Sequence, residues 1–179
     1  MRLNLSKYPW MKKTLLTLTI AATLAGCLKN EEPTNTCTYD ECSLKAPATE
    51  IQNVKDYLAA NNITNAVEHC SGLFYVIDSA GTGAAPSVCS GVSVRYKGML
   101  TNGNVFDKSE TPTPYWQLGT LVRGWVNGLP KIRRGGGMKL YIPPTLGYGA
   151  NPQTDRNGNV LIPGNSILVF EVQLDGVAN

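Results

Sequence analysis

Four stretches in the later part of the chain set an apolar residue at every second position: Leu73 to Ile77, Val92/Val94/Tyr96, Met138/Leu140/Ile142 and Leu168/Phe170/Val172/Leu174. Turns rich in Gly and Pro separate them. A period of two buries one face of a strand and leaves the other to solvent, so these stretches predict antiparallel strands with one covered face. The one later segment with a helical period is Arg123 to Ile132, where Trp125, Leu129 and Ile132 stand at i, i+4 and i+7 while Gly128 and Pro130 limit its length. So short a helix has to lie against the sheet, and its Trp can floor a cavity walled by strand aromatics. The architecture expected is α+β with one concave face.

Upstream, Thr49 and Gln52 have capping-box spacing, and Ile51, Val54, Tyr57 and Leu58 share one face until Asn61-Asn62 ends the run. About three turns of helix are expected here, packed on their own domain rather than serving as a dimerising arm. Residues 28–48 are polar, carry Pro33 and Pro47 and lack an apolar period, so they read as a spacer. Before them, Lys12 and Lys13 precede the apolar run Leu15 to Ala25, then Gly26 and Cys27. That order is a secretory signal, and Met11 opens a complete one by itself. The run is too short for a bilayer core that needs ~20 residues.

Charge places no nucleic acid among the partners. The formal charge is +3, but Arg2, Lys7, Lys12 and Lys13 all precede Cys27 and no acid does, which leaves 12 cationic against 13 acidic side chains beyond it. With 42% hydrophobic and 16% charged residues, 18 Gly and 11 Pro, the chain is a turn-rich globular domain with a tail. Export puts Cys37, Cys42, Cys70 and Cys89 in an oxidising compartment as two disulfides. Three pairings are open, and spacing leans toward Cys37 with Cys42 and Cys70 with Cys89. A metal site in their place needs more imidazole than His69, the one histidine, offers. No metal is expected.

Several chemistries find no residues. His69 has no nucleophile-and-acid pattern around it and reads as a packing or solvated residue. Gly135-Gly136-Gly137 lacks the Lys-Ser/Thr and helix that cradle phosphate, and reads as a turn. From residue 79 on, Asp107, Glu110, Asp155, Glu171 and Asp175 are the only carboxylates and form no spaced acid/base pair. What remains is an aromatic pocket of low charge.

The segments flanking that pocket resemble a known family. Val94-Arg95-Tyr96-Lys97-Gly98-Met99-Leu100 with Gly103 and Phe106-Asp107, then Leu121-Val122-Arg123-Gly124-Trp125, then Ile142-Pro143-Pro144-Thr145-Leu146-Gly147-Tyr148-Gly149, then Ile162-Pro163-Gly164-Asn165-Ser166-Ile167-Leu168-Val169-Phe170-Glu171-Val172 resemble, in order, the motifs of FKBP-type peptidyl-prolyl isomerases. The likeness runs over residues 72–175. It implies a twisted antiparallel half-barrel of five or six strands around the short helix bearing Trp125, with the amino-terminal helix outside it. Separately, Leu24-Ala25-Gly26-Cys27 resembles the lipobox of bacterial lipoproteins, which implies cleavage before Cys27 and its acylation. The domain organisation expected is a signal over 1–26, a lipidated tether over 27–48, a short helix and lead-in over 49–71, and the isomerase domain over 72–179.

The resemblance also implies roles. Trp125 floors a site for a prolyl ring, Tyr148 hydrogen-bonds the substrate carbonyl, and Tyr96 and Asp107 supply a polar edge. Phe106, Leu121, Val122, Ile162 and Phe170 complete the wall, with one of Tyr115 or Trp116 in the remaining aromatic position. The implied function is isomerisation of X-Pro bonds in exported proteins without a cofactor; the alternative is a binding module or chaperone that grips proline-bearing chains without turnover. Proline-containing polypeptides are the implied partners. The implied place is the envelope of a Gram-negative bacterium, as a monomer anchored by lipid to the outer membrane and facing the periplasm, since Leu28 is not the Asp of an inner-membrane retention signal. The insert Asn151 to Asn159, with Asn157-Gly158 favouring a hairpin turn, is expected to overhang the pocket.

Overall fold

A computed structural model describes residues 37–179, in which Cys37–Asn179 forms one compact unit. The signal-like segment, Cys27 and the first part of the tether lie outside the described residues. In chain order the elements are α1 (Ala48–Ala60), β1 (Val67–Glu68), β2 (Phe74–Ser79), β3 (Gly91–Leu100), β4 (Val105–Ser109), β5 (Trp116–Gln117), α2 (Arg123–Gly128), β6 (Gly137–Ile142), β7 (Gln153–Thr154), β8 (Val160–Ile162) and β9 (Leu168–Ala178). The main sheet runs β1-β2-β6-β9-β3-β4, with β5 also paired to β3, and every pairing is antiparallel. All four alternating stretches are strands, as their period predicts.

Register brings the apolar face together. Leu140 of β6 and Gly98 of β3 both pair with Phe170 of β9, and Met138 and Tyr96 both pair with Val172. Met138, Leu140, Ile142, Leu168, Phe170, Val172 and Leu174 are buried in one core with Leu118, Trp125, Leu129 and Ile132. Helix α2 lies close to β6 because it has no side chain where it touches: a Cβ on Gly124 would sit 2.5 Å from Ile142, and one on Gly128 2.5 Å from Leu140. A single turn of 3-10 helix, Leu129–Lys131, continues α2.

Helix α1 buries Ile51, Val54 and Leu58 in the same core, with Tyr57 and Tyr141 ring centroids 6.2 Å apart. It packs on its own domain. The capping-box expectation is corrected: Pro47 is the N-cap, the helix starts at Ala48, no side chain caps it, and Gln52 instead bonds Asp56. Proline suits a helix start because its fixed φ and missing N–H cost nothing there.

The spacer is corrected as well from Cys37 onward. Disulfides join Cys37 to Cys89 and Cys42 to Cys70, with Cα atoms 5.9 and 5.6 Å apart, so both favoured pairings give way to longer-range ones. Ala46 is buried and its N–H bonds Ser71 O. Spacing misleads because cross-links record proximity in the fold. Among the described residues no helix is long and apolar enough to cross a membrane.

Candidate functional site

The concave face of the sheet, closed by α2, leaves a cavity of about 130 Å³ lined by Tyr96, Phe106, Asp107, Trp116, Leu121, Val122, Trp125, Tyr148 and Phe170. Sites for drug-sized ligands span ~300–1,000 Å³, so this volume suits one small ring. Trp125, 4% exposed, is the floor: its ring meets Tyr96 at 5.4 Å and 81° and Phe170 at 5.2 Å and 86°. Phe106 stands edge-on to Phe170 at 5.5 Å, and Trp116 to Tyr96 at 5.9 Å. Such perpendicular aromatic pairs fix one another's orientation. The Trp125 indole N–H is buried and has no hydrogen-bond acceptor among the described residues.

Alternation would send Phe106 and Asp107 to opposite faces of β4. The structure brings both to the cavity through a β-bulge: Gly98 pairs with Asp107 and Met99 with Val105, which leaves Phe106 as the extra residue. Gly98 itself makes the room. A Cβ there would stand 2.6 Å from the Phe106 ring and 2.7 Å from the Phe170 ring. Spacing alone could not single out this glycine, because its function is the volume it leaves open.

Among the described residues, Asp107 is the only charged one on the wall. Its carboxylate accepts the Tyr96 hydroxyl at 2.6 Å. Burial, followed by that hydrogen bond, pushes the Tyr96 phenol well above its ordinary pKa. Burial, then the nearby Asp107 charge, also raises Tyr148. Tyr148 stands at the rim, 38% exposed, on the turn after β6, where Gly147 and Gly149 N–H groups both bond Pro144 O. That turn is fastened from outside: Glu50 of α1 accepts the Thr145 N–H and Oγ1–H, each at 2.8 Å.

Two expected site residues are placed elsewhere. Ile162 is buried in the core and paired with Gln153 in the β7–β8 hairpin, off the cavity wall. Tyr115 is 59% exposed and lies against Gly91 and Gly176, because β5 pairs Trp116 with Val92 and leaves its neighbour outside. Trp116 therefore takes the aromatic position. In the insert, Asp155 accepts from the Asn157 and Asn159 N–H groups and from Asn159 Nδ2, each at 2.8 Å, and Gly158 turns at φ +84°. None of its residues reaches the cavity wall.

The helix that carries Trp125 is held from its far side by the segment read as spacer. Tyr39 donates to Asn127 Oδ1 at 2.7 Å, Asn127 Nδ2 donates to Glu41 O, and Lys131 bonds the Glu41 carboxylate. Arg123 lies over the Tyr39 ring at 5.3 Å. Nothing in the sequence period announces these contacts.

A half-barrel sheet wrapped on a short Trp-bearing helix, with this aromatic cavity between them, defines a class. The chain belongs to the FKBP-type peptidyl-prolyl cis-trans isomerase family, whose model matches residues 83–175. It is 43% identical over 107 residues to the FKBP-type peptidyl-prolyl cis-trans isomerase FkpA of Escherichia coli K12, covering 58% of this chain and 37% of that protein. It is 41% identical over 112 residues to FkpA of Buchnera aphidicola from Schizaphis graminum, covering 61% and 42%. The chain thus spans about two fifths of the length of these curated relatives. A crystal structure of a peptidyl-prolyl cis-trans isomerase from Pseudomonas syringae superposes with a TM-score of 0.62 at 29% identity, covering 75% of this chain and 98% of that one.

Proposed function

We propose that this chain catalyses cis/trans isomerisation of X-Pro bonds in exported polypeptides. The observation that carries the reading is the small aromatic cavity with Trp125 as its floor and the Tyr96–Asp107 pair at its edge. Rotation about the bond meets a barrier of ~18–20 kcal/mol that comes from amide resonance. The planar amide is more dipolar than the twisted form, so a site that removes water destabilises the ground state relative to the transition state. The Tyr148 hydroxyl, kept protonated, holds the substrate carbonyl while the prolyl side turns over Trp125. Bringing a process of tens of seconds to ~10³ per second takes roughly 5–7 kcal/mol, within reach of desolvation and one or two hydrogen bonds. No bond is made or broken.

A protease-coupled peptide assay tests this with Trp125→Ala and Asp107→Val. Both lower kcat/KM at least tenfold on this reading; equal, negligible rates in all three proteins would support the non-catalytic binding module instead.

The same proposal assigns residues 1–26 to a signal, Cys27 to acylation, and the isomerase domain to the periplasmic face of the outer membrane as a monomer. The lipobox-like Leu24-Ala25-Gly26-Cys27 supports it, and more than one acyl chain gives stable anchoring. Cys27→Ala is expected to release the protein from the membrane fraction; continued sedimentation with membranes would remove the anchor.

A further inference from the structure

Away from the cavity, Cys42, Cys70 and His69 bring their ligand atoms within 4.8 Å of one another. Both cysteines are exposed and His69 is buried. Cys70 Sγ lies 3.8 Å from His69 Nε2, and that nitrogen lies 3.4 Å from Glu41 Oε1. These separations carry a geometric message. With Zn–S of ~2.3 Å and Zn–N or Zn–O of ~2.0–2.2 Å, a tetrahedral zinc site has ligand-to-ligand edges of about 3.4–3.8 Å. The sequence counts one imidazole and finds a metal wanting; the fold adds a carboxylate that sequence position does not mark.

We propose that the dithiol form of the protein binds one Zn²⁺ through Cys42, Cys70, His69 Nε2 and Glu41, and that formation of the Cys42–Cys70 disulfide abolishes the site. The outer contacts are in place. His69 Nδ1 lies 2.9 Å from the Oγ of fully buried Ser71, which can accept its N–H once Nε2 is taken by metal; the longer Ser71 N–H contact at 3.3 Å is then given up. Lys131 bonds both Glu41 oxygens, Oε2 at 2.8 Å and Oε1 at 3.1 Å; the longer bond is given up to the ion while the shorter one holds the carboxylate in place. Two thiolates and one carboxylate offset the charges of Zn²⁺ and Lys131, so the assembly is neutral. Asp40 Oδ1 accepts the Cys42 N–H at 2.9 Å and sets the turn that presents the first thiol.

The chemistry balances with a dithiol reductant. Its two thiols give up two electrons and two protons to the Cys42–Cys70 bond and close to a disulfide; zinc then displaces the two protons from Cys42 and Cys70.

The test uses the full chain with Cys27→Ser, oxidised or reduced with a dithiol, and titrated with Zn²⁺ and with Co²⁺ as a spectroscopic stand-in. The reduced protein is expected to take up one Zn²⁺ at least 100-fold more tightly than the oxidised one. Cobalt should show tetrahedral ligand-field bands with thiolate charge transfer. His69→Ala and Glu41→Gln should each weaken binding about tenfold, whereas Cys37→Ser with Cys89→Ser should leave it intact. An octahedral cobalt spectrum, uptake no tighter after reduction, indifference to both His69→Ala and Glu41→Gln, or loss in the Cys37/Cys89 variant would each overturn the site. The wild-type cobalt spectrum decides even where a variant does not fold. No residue here lines the aromatic cavity, so the outcome is independent of isomerase activity.

Discussion

Gly98 shows how a residue acts by what it lacks. It stands where β3 passes beneath two rings, and any side chain would press on Phe106 and Phe170 at under 3 Å. Overpacking of this kind costs about 1–3 kcal/mol, and the rings can yield only by shifting into the cavity. Gly98→Ala is therefore expected to lower kcat/KM tenfold or more, most visibly through KM; activity within twofold of wild type would show that the cavity does not depend on this gap. The phenols make a second residue-scale prediction. Tyr96 and Tyr148 are both raised above the ordinary phenol pKa, first by burial and then by Asp107. Their folded values exceed their unfolded ones, so the stability they contribute is present below pH ~10 and is lost as pH rises through the folded values. Isomerisation followed by NMR exchange should accordingly show no decline centred at or below pH 10, and a phenolate absorbance titration should place both groups later than that. A midpoint at the ordinary value would mean that the hydroxyls are not shielded.

At the scale of elements, α1 does more than cover the sheet. Its Glu50 accepts two hydrogen bonds from Thr145, three residues before Tyr148. A bond to a charged acceptor contributes roughly 1.5–3 kcal/mol, and here that free energy fixes the turn presenting the rim hydroxyl. Glu50→Ala should lower kcat about three- to tenfold with KM little changed, and Glu50→Gln, which keeps an acceptor, should recover much of it. If Glu50→Ala destabilises the protein but leaves kcat untouched, the contact is structural only. The strands were legible because each buries one face, and the helix bearing Trp125 because three apolar residues meet the sheet at helical spacing. The bulge at Phe106 was not, since alternation says nothing about an inserted residue. Neither was the choice of Trp116 over Tyr115, which β5 settles by pairing with Val92. The Thr49/Gln52 pattern misleads because the N-cap is Pro47, two residues earlier, which places Thr49 inside the first turn.

For the molecule as a whole, the polar lead-in from Cys37 belongs to the fold by cross-linking. It carries no apolar period, and its attachment comes from the two disulfides and from Tyr39 and Glu41 reaching α2 and Lys131. Polar composition reads as a spacer because the rules for burial do not register a segment tied down by bonds and hydrogen bonds. The Cys37–Cys89 link spans 52 residues, and chain entropy assigns a loop of that size a stabilisation between about 3 and 5 kcal/mol. Cys37→Ser with Cys89→Ser should remove most of this in denaturant unfolding, with a raised m-value because the unlinked denatured chain exposes more surface. The stretch upstream of Glu41 then loosens, and Tyr39 stops bracing Asn127 and Arg123 of the helix under Trp125, so activity should fall with temperature sooner than the unfolding midpoint alone accounts for. Activity that tracks the folded fraction at every temperature would confine the cross-link to stability and leave α2 positioned by the core alone.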